Sequence, residues 1–148
     1  MMEAFIHPRR ITWGDTDAAR IVYTAQVPHF AMEAIEAWFL DRMGVDWYGL
    51  NLDHGYGTPF VRMEIDFIAP MKPPQLLHTT VLLEKLGRSS MTFALAARLA
   101  GEQGLRWRGR FTCAFIDAQK FRSIAVPPPF REKMEQELAL AAASGETA

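Results

Sequence analysis

Apolar residues recur at helical spacing over residues 28–43 of this chain and predict a long, mostly buried helix. Pro28 suits the first position of such a helix, and Gly44 suits its C-terminal cap. The apolar positions that share one face are Ala31, Ala34, Ile35 and Trp38.

After residue 60 the period changes to two, which is typical of strands with one buried face. The first of these strands alternates Val61, Met63, Ile65 and Phe67 with Arg62, Glu64 and Asp66 and is predicted to be half-buried. Three more strands are predicted over residues 76–86, 91–100 and 105–116, and the short turns between them predict an antiparallel meander. We also expect a first strand over residues 9–13, a loop over 45–58 and a final helix over about 130–142.

This order of elements predicts a two-layer α+β fold, with one helix lying across an antiparallel sheet. A length of 148 residues fits a single domain spanning residues 1–148. Such a sheet has unpaired edges, and pairing edge to edge in a dimer is one way to satisfy them.

Composition excludes several classes of function. Sixteen basic and 17 acidic residues give a net charge of −1, so bulk charge indicates no nucleic-acid partner. Cys113 is the only cysteine, which excludes an intrachain disulfide and a cysteine zinc cluster. The N-terminal residues carry charges and no long apolar run, and no later segment is long enough to span a membrane. We therefore expect a cytoplasmic protein.

Two acids one residue apart, Asp15 and Asp17, follow the first strand and precede the predicted helix. Asp is common in turns and helix caps, so a structural role is one interpretation. The other is acyl transfer, which needs a carboxylate close to backbone N–H groups that can bind an oxyanion. Side chains of alternate residues on an extended segment point in opposite directions. We expect Asp15 to cap local N–H groups.

The run Gly14-Asp15-Thr16-Asp17, followed by Ile21-Val22-Tyr23, resembles the signature loop of the hotdog-fold acyl-CoA thioesterases. The likeness is to the 4-hydroxybenzoyl-CoA thioesterase branch. Gly57-Thr58-Pro59 and Gly87-Arg88-Ser89-Ser90 occur in the expected order, so the resemblance covers about residues 11–130.

The resemblance implies a sheet wrapped around one long central helix, in a homodimer or homotetramer with active sites at the dimer interface. It implies an acyl-CoA substrate, with Asp17 as nucleophile or general base and no cofactor or metal. A backbone N–H of Tyr23, Thr24 or a neighbouring residue, with Thr24 preferred, would bind the oxyanion. Thr58 would orient water or the substrate carbonyl.

Other residues are candidates for substrate binding. Arg88, Ser89 and Ser90 have the donors to hold the phosphates of coenzyme A, or form an ordinary polar hairpin. Trp47 and Tyr56 can wall an aromatic acyl group, or anchor a loop to the core.

The loop also departs from the family. Arg20 stands where the family usually has Gly; it can lie at the surface, pair with Asp15 or meet an acidic substrate. Ala18 stands where Pro is frequent. Pro28 comes later than the usual Pro and predicts a shifted first helical turn. Two alternatives stay open: a thioesterase acting on an acyl carrier protein, and a non-catalytic acyl-CoA-binding module.

Overall fold

A computed structural model describes residues 3–144, in which a five-stranded antiparallel sheet packs against one long helix. The sheet has the order β1-β4-β5-β6-β3, and a small second sheet has the order β2-β7-β8. The elements are β1 (Phe5–Arg10), α1 (Gln26–Trp38), α2 (Trp47–Leu52), β2 (Tyr56–Gly57), β3 (Phe60–Phe67), β4 (Leu76–Leu86), β5 (Ser90–Leu99), β6 (Leu105–Ala114), β7 (Ile116–Asp117), β8 (Arg122–Ser123) and α3 (Pro128–Ser144).

The core lies between α1 and the concave face of the sheet, as an α+β fold requires. Phe30, Ile35 and Trp38 on α1 are each at most 1% exposed. The Trp38 ring meets Phe93 of β5 edge to face, with centroids 4.9 Å apart. Phe111 of β6 belongs to the same cluster. The predicted fold class and the meander of β4, β5 and β6 are confirmed.

The predicted start of the long helix at Pro28 is wrong, because α1 begins at Gln26. The first N–H groups of a helix have no partner within it, so a proline in the third position loses no hydrogen bond. The last turn, Phe39–Met43, is wider and π-helical. Gly44 then ends the helix with φ 75°, as its predicted role as cap requires.

Other boundaries also differ from the prediction. The strand predicted over residues 105–116 ends at Ala114, and Ile116 belongs to β7. The first strand is Phe5–Arg10 instead of residues 9–13, because the chain turns at Trp13–Asp15 into a 3₁₀ helix. The predicted loop over 45–58 contains α2 and β2. The helix α2 forms because Asp46 Oδ1 accepts the N–H of Gly49 at 2.7 Å, an N-cap. The final helix begins at Pro128, two residues before the prediction.

The predicted half-buried face of β3 is largely exposed. Val61, Met63 and Phe67 are 68%, 47% and 55% exposed, and only Ile65 packs against the core. The strand lies at the edge of the sheet with β6 on one side, and no other strand of residues 3–144 pairs with its free edge. The alternation therefore marks an apolar surface that one copy of the chain leaves uncovered.

The arginines of β6 lie in ion pairs on the outer face of the sheet. Arg108 Nε is 3.1 Å from Asp66 Oδ2, and Arg110 Nε is 2.9 Å from Glu84 Oε2. Between residues 3 and 144, no helix combines the length and the apolar character needed to cross a membrane.

Candidate active site

Asp17 lies in a tight turn that returns the chain toward α1. Its backbone oxygen accepts the N–H of Arg20 at 2.9 Å, and its N–H donates to the oxygen of Ile21 at 3.3 Å. Its carboxylate Oδ1 accepts the N–H of Ala19 at 2.9 Å. Across residues 3–144 no donor bonds to its Oδ2. The turn thus holds an exposed carboxylate with one oxygen available.

Arg20 has φ 68°, in the left-handed region that favours glycine. This conformation explains why the family usually has Gly at the position. The side chain is exposed and makes no ion pair with any residue of 3–144. Of the options open from the sequence, pairing with Asp15 is wrong, because Asp15 pairs with Arg9 instead.

Asp15 is buried, and both of its carboxylate oxygens accept hydrogen bonds. Oδ2 accepts the N–H of Thr12 at 2.8 Å and a bond from Arg9 Nη1. Oδ1 accepts Nε2 of Gln26 at 3.0 Å. Burial opposes ionisation, but the bonds from Arg9 and Thr12 outweigh it and lower the pKa of Asp15. The predicted capping role of Asp15 is confirmed.

The two candidate oxyanion donors differ in what they bond. The N–H of Tyr23 donates to the backbone oxygen of Asp15 at 2.9 Å. The N–H of Thr24 has no acceptor anywhere in residues 3–144. It lies just before the first turn of α1, where free N–H groups give the helix its positive end. Thr24 is therefore the candidate whose amide is free to bind an anionic oxygen.

Thr24 also lines a cavity of about 530 Å³ at the start of α1. The wall is mainly apolar. It is formed by the loop before α1, by α1 itself, by the end of β3 and the segment that follows it, and by the start of β6. Asp17 is not in the wall itself, but Ile21, which shares its turn, is. The lining residues are Ile21, Val22, Thr24, Val27, Phe67, Ile68, Ala69, Pro70, Met71, Arg106 and Trp107.

Thr58 and Trp47 line a different cavity, of about 250 Å³, beside α2. The indole N–H of Trp47 is buried, and no acceptor for it lies in the described part of the chain. Tyr56 lies in neither wall; it packs edge to face on Phe115, with centroids 5.9 Å apart. None of Thr58, Trp47 and Tyr56 therefore lines the cavity beside Thr24.

The hairpin of Gly87, Arg88, Ser89 and Ser90 is closed by a bond from the Gly87 N–H to the Ser90 oxygen at 2.8 Å. Its carbonyls are tied to α3, because Arg131 Nη2 donates to the oxygens of Gly87 and Arg88 at 2.6 and 3.0 Å. The Arg88 side chain is exposed. No local pattern in the sequence indicates that Arg131 anchors this hairpin.

Sequence reasoning also missed Arg9 and Gln26, the partners of Asp15. Their positions in the chain carry no motif, and only the fold brings them to the loop. In the described residues, no group of three or more His, Cys, Asp or Glu side chains is arranged to hold a metal ion.

Comparison with known proteins places this chain in a family. Residues 11–135 match the family model of the thioesterase-like superfamily. The chain belongs to this superfamily. The resemblance to the hotdog thioesterases, the hotdog fold and the class of enzyme, a thioester hydrolase, are thereby confirmed at the level of the family.

Three proteins that are similar to this chain illustrate the match. A crystal structure of a thioesterase superfamily protein from Jannaschia sp. has a TM-score of 0.85 and 39% identity, covering 93% of this chain and 99% of the other. A 1,4-dihydroxy-2-naphthoyl-CoA hydrolase of Rippkaea orientalis is 28% identical over 86% of this chain and 85% of its own. A protein of the same name from Picosynechococcus sp. is 40% identical over 68 residues, 46% of each chain.

Proposed function

We propose that the protein hydrolyses an acyl-CoA thioester to the free acid and coenzyme A, with Asp17 as the reacting carboxylate. The observation that carries this proposal is the free N–H of Thr24, which lies beside an apolar cavity and on the same loop as Asp17. Membership of the thioesterase-like superfamily supports the same reaction.

The chemistry follows from the two groups on the loop. A thioester carbonyl is electrophilic, and its thiolate is a fair leaving group, so a carboxylate suffices to start the reaction. Asp17 either attacks the carbonyl carbon and expels the coenzyme A thiolate, forming an acyl-enzyme anhydride that water then hydrolyses to the free acid, or takes a proton from an attacking water and passes it to the departing thiolate. In both cases negative charge develops on the carbonyl oxygen, and the Thr24 N–H at the helix start stabilises it.

The cavity next to Thr24 supports an aromatic acyl group. Phe67 and Trp107 contribute flat rings to its wall, and most other lining residues are aliphatic. The name of two relatives, 1,4-dihydroxy-2-naphthoyl-CoA hydrolase, specifies an aromatic acyl group. Aromatic acyl-CoAs, 4-hydroxybenzoyl-CoA among them, are thus the substrates to test first, with short aliphatic acyl-CoAs as the comparison.

A second copy of the chain completes the site in this proposal. The exposed apolar residues Val61, Met63 and Phe67 of β3 offer an edge for pairing with that copy. Its Thr58, Trp47 and Tyr56 would then approach the loop from across the interface, since none of the three lines the cavity beside Thr24 within one copy. Molar mass in solution, from light scattering, tests whether the protein is a dimer, a tetramer or a monomer.

In the same proposal the hairpin holds the coenzyme A phosphates. Arg88 supplies an exposed guanidinium, and Ser89 and Ser90 supply hydroxyls. The anchoring of this hairpin by Arg131 supports the role, because a fixed turn loses less entropy when it binds a phosphate. Arg88→Ala is expected to raise KM for acyl-CoA with little change in kcat.

The decisive experiment measures release of free thiol from aromatic and aliphatic acyl-CoAs by the wild type, Asp17→Asn and Asp41→Asn. Asp41 is also an exposed aspartate, lies in the last turn of the long helix and serves as the control. We expect turnover to fall roughly 10²–10⁴-fold in Asp17→Asn and to persist in Asp41→Asn. Equal loss in both variants, or none in Asp17→Asn, removes Asp17 from the reaction. A folded wild type without turnover rejects free acyl-CoA as substrate and leaves a carrier-protein thioester or a binding role.

A further inference from the structure

Asp15 connects three segments that the proposed site depends on. Its Oδ2 accepts bonds from Thr12 and Arg9, at the end of β1. Its Oδ1 accepts a bond from Gln26, in the first turn of α1, at 3.0 Å. Its backbone oxygen accepts the N–H of Tyr23 at 2.9 Å. A single buried residue therefore ties the sheet, the loop and the helix together.

The bond from Tyr23 has a direct consequence for Thr24. The Tyr23 N–H is held by Asp15, and the next peptide unit, which carries the unbonded N–H of Thr24, is held through its Tyr23 oxygen, which accepts the backbone N–H of Gln26 at 2.9 Å. Gln26 holds the same stretch from its other side, two residues after Thr24. The orientation of the free amide thus depends on Asp15 and Gln26.

Arg9 extends the connection farther along α1. Its Nε donates to Glu33 Oε2 at 3.1 Å, and its guanidinium carbon lies 4.4 Å from the centroid of the Phe30 ring. Gln26 and Glu33 are about two helical turns apart on α1. The helix is therefore linked to Asp15 at two positions along its axis, directly through Gln26 and through Arg9 at Glu33. A helix held at two points can neither slide nor rotate freely against the loop.

We infer that Asp15, Arg9 and Gln26 act as positioning residues, which set the Thr24 amide and the Asp17 carboxylate at the distance and angle that the reaction needs. The inference rests on the proposed function. Buried ion pairs contribute little net stability, because desolvation offsets their attraction. An arrangement of donors from three residues, Thr12, Arg9 and Gln26, on one buried carboxylate fixes geometry more than it stabilises the fold. Misplacement of a reacting group by about 1 Å can lower a rate about 10²-fold, so a change in this geometry should lower the rate.

Gln26→Met tests the inference because it removes one hydrogen bond and keeps the length of the side chain. Gln136→Met, the same change at an exposed position of α3, is the matched control. We expect Gln26→Met to lower kcat roughly 10- to 100-fold, with KM changed less than about twofold and a melting temperature lowered by only about 2–4 °C. Gln136→Met should leave all three quantities unchanged.

A second readout does not need activity. Hydrogen exchange at the Tyr23 amide reports its bond to Asp15, and the Val22 amide, bonded to the Met71 oxygen at 2.8 Å, is an internal reference. We expect faster exchange at Tyr23 in Gln26→Met and unchanged exchange at Val22. Unchanged kcat in that variant, or a drop in kcat together with a much larger fall in melting temperature, overturns the positioning role. If the wild type hydrolyses no acyl-CoA, the proposed function fails, and the Tyr23 exchange alone decides whether the connection exists.

Discussion

The backbone oxygen of Glu64 on β3 lies where the Cβ of any residue larger than glycine at position 109 would be. A Cβ built on Gly109 of β6 comes within 2.4 Å of that oxygen and 2.9 Å of Phe111 Cε2. The neighbour is backbone, which cannot rotate away. Gly109 therefore allows β3 to approach β6 closely along the edge that presents Val61, Met63 and Phe67.

Gly109→Ala is expected to destabilise the fold by about 1–3 kcal/mol, because the extra methyl group forces β3 to shift. Urea unfolding measures the loss. Gly104→Ala is the control, since a Cβ there meets no atom within 4 Å. Equal midpoints for the two variants would show that β3 accommodates the methyl group without strain.

Arg20→Gly is expected to raise stability by up to about 1 kcal/mol. Arg20 has φ 68°, where a side chain costs roughly 1–2 kcal/mol, and glycine relieves this at the expense of chain entropy. Thermal unfolding measures the change. Ala19→Gly, next to it and outside the positive-φ positions, should lower stability instead. A loss in both variants would mean that the arginine side chain stabilises the loop.

Glu137→Gln is expected to destabilise the fold by roughly 2–3 kcal/mol. Glu137 of α3 is 5% exposed, and its Oε1 lies 3.0 Å from Nη1 of Arg42. The neutral amide leaves the arginine without a buried counter-charge. The control is Glu135→Gln, whose exposed pair with Arg131 spans 3.9 Å and should contribute less than about 0.5 kcal/mol. Chemical denaturation of both variants distinguishes a buried pair from a surface pair.

Asp15 is expected to make stability depend on pH in acid. Its pKa in the folded state is lowered from 3.8, so the unfolded chain binds a proton first as the pH falls. Its contribution to stability is complete above the unfolded pKa and disappears as the pH falls through the folded pKa.

Urea midpoints of the wild type and Asp15→Asn, measured from about pH 6 downward, check this dependence. The difference between the two proteins should be constant at the upper end and should shrink in acid. A difference that is the same at every pH would show that folding does not shift the pKa of Asp15.

Local patterns in the sequence predicted the strands, in which apolar residues recur every two positions, and the helices, in which they recur every three or four positions. The alternation over residues 76–86 predicted β4 at its observed bounds, and the glycine after the long helix predicted its end at Gly44. The signature loop predicted the family and the cap formed by Asp15. These features depend on neighbours along the chain, so they can be read without the fold.

Tertiary structure decided the rest. The chain pattern could not show that Arg9 and Gln26 meet at Asp15, or that Tyr23 uses its N–H while Thr24 keeps its own free. Nor could it show that the apolar face of β3 lies at an uncovered edge. Hydrogen-bond partners and exposure depend on which distant segments pack together. Periodicity specifies which face of an element is apolar, whereas the packing of the whole chain determines what that face meets.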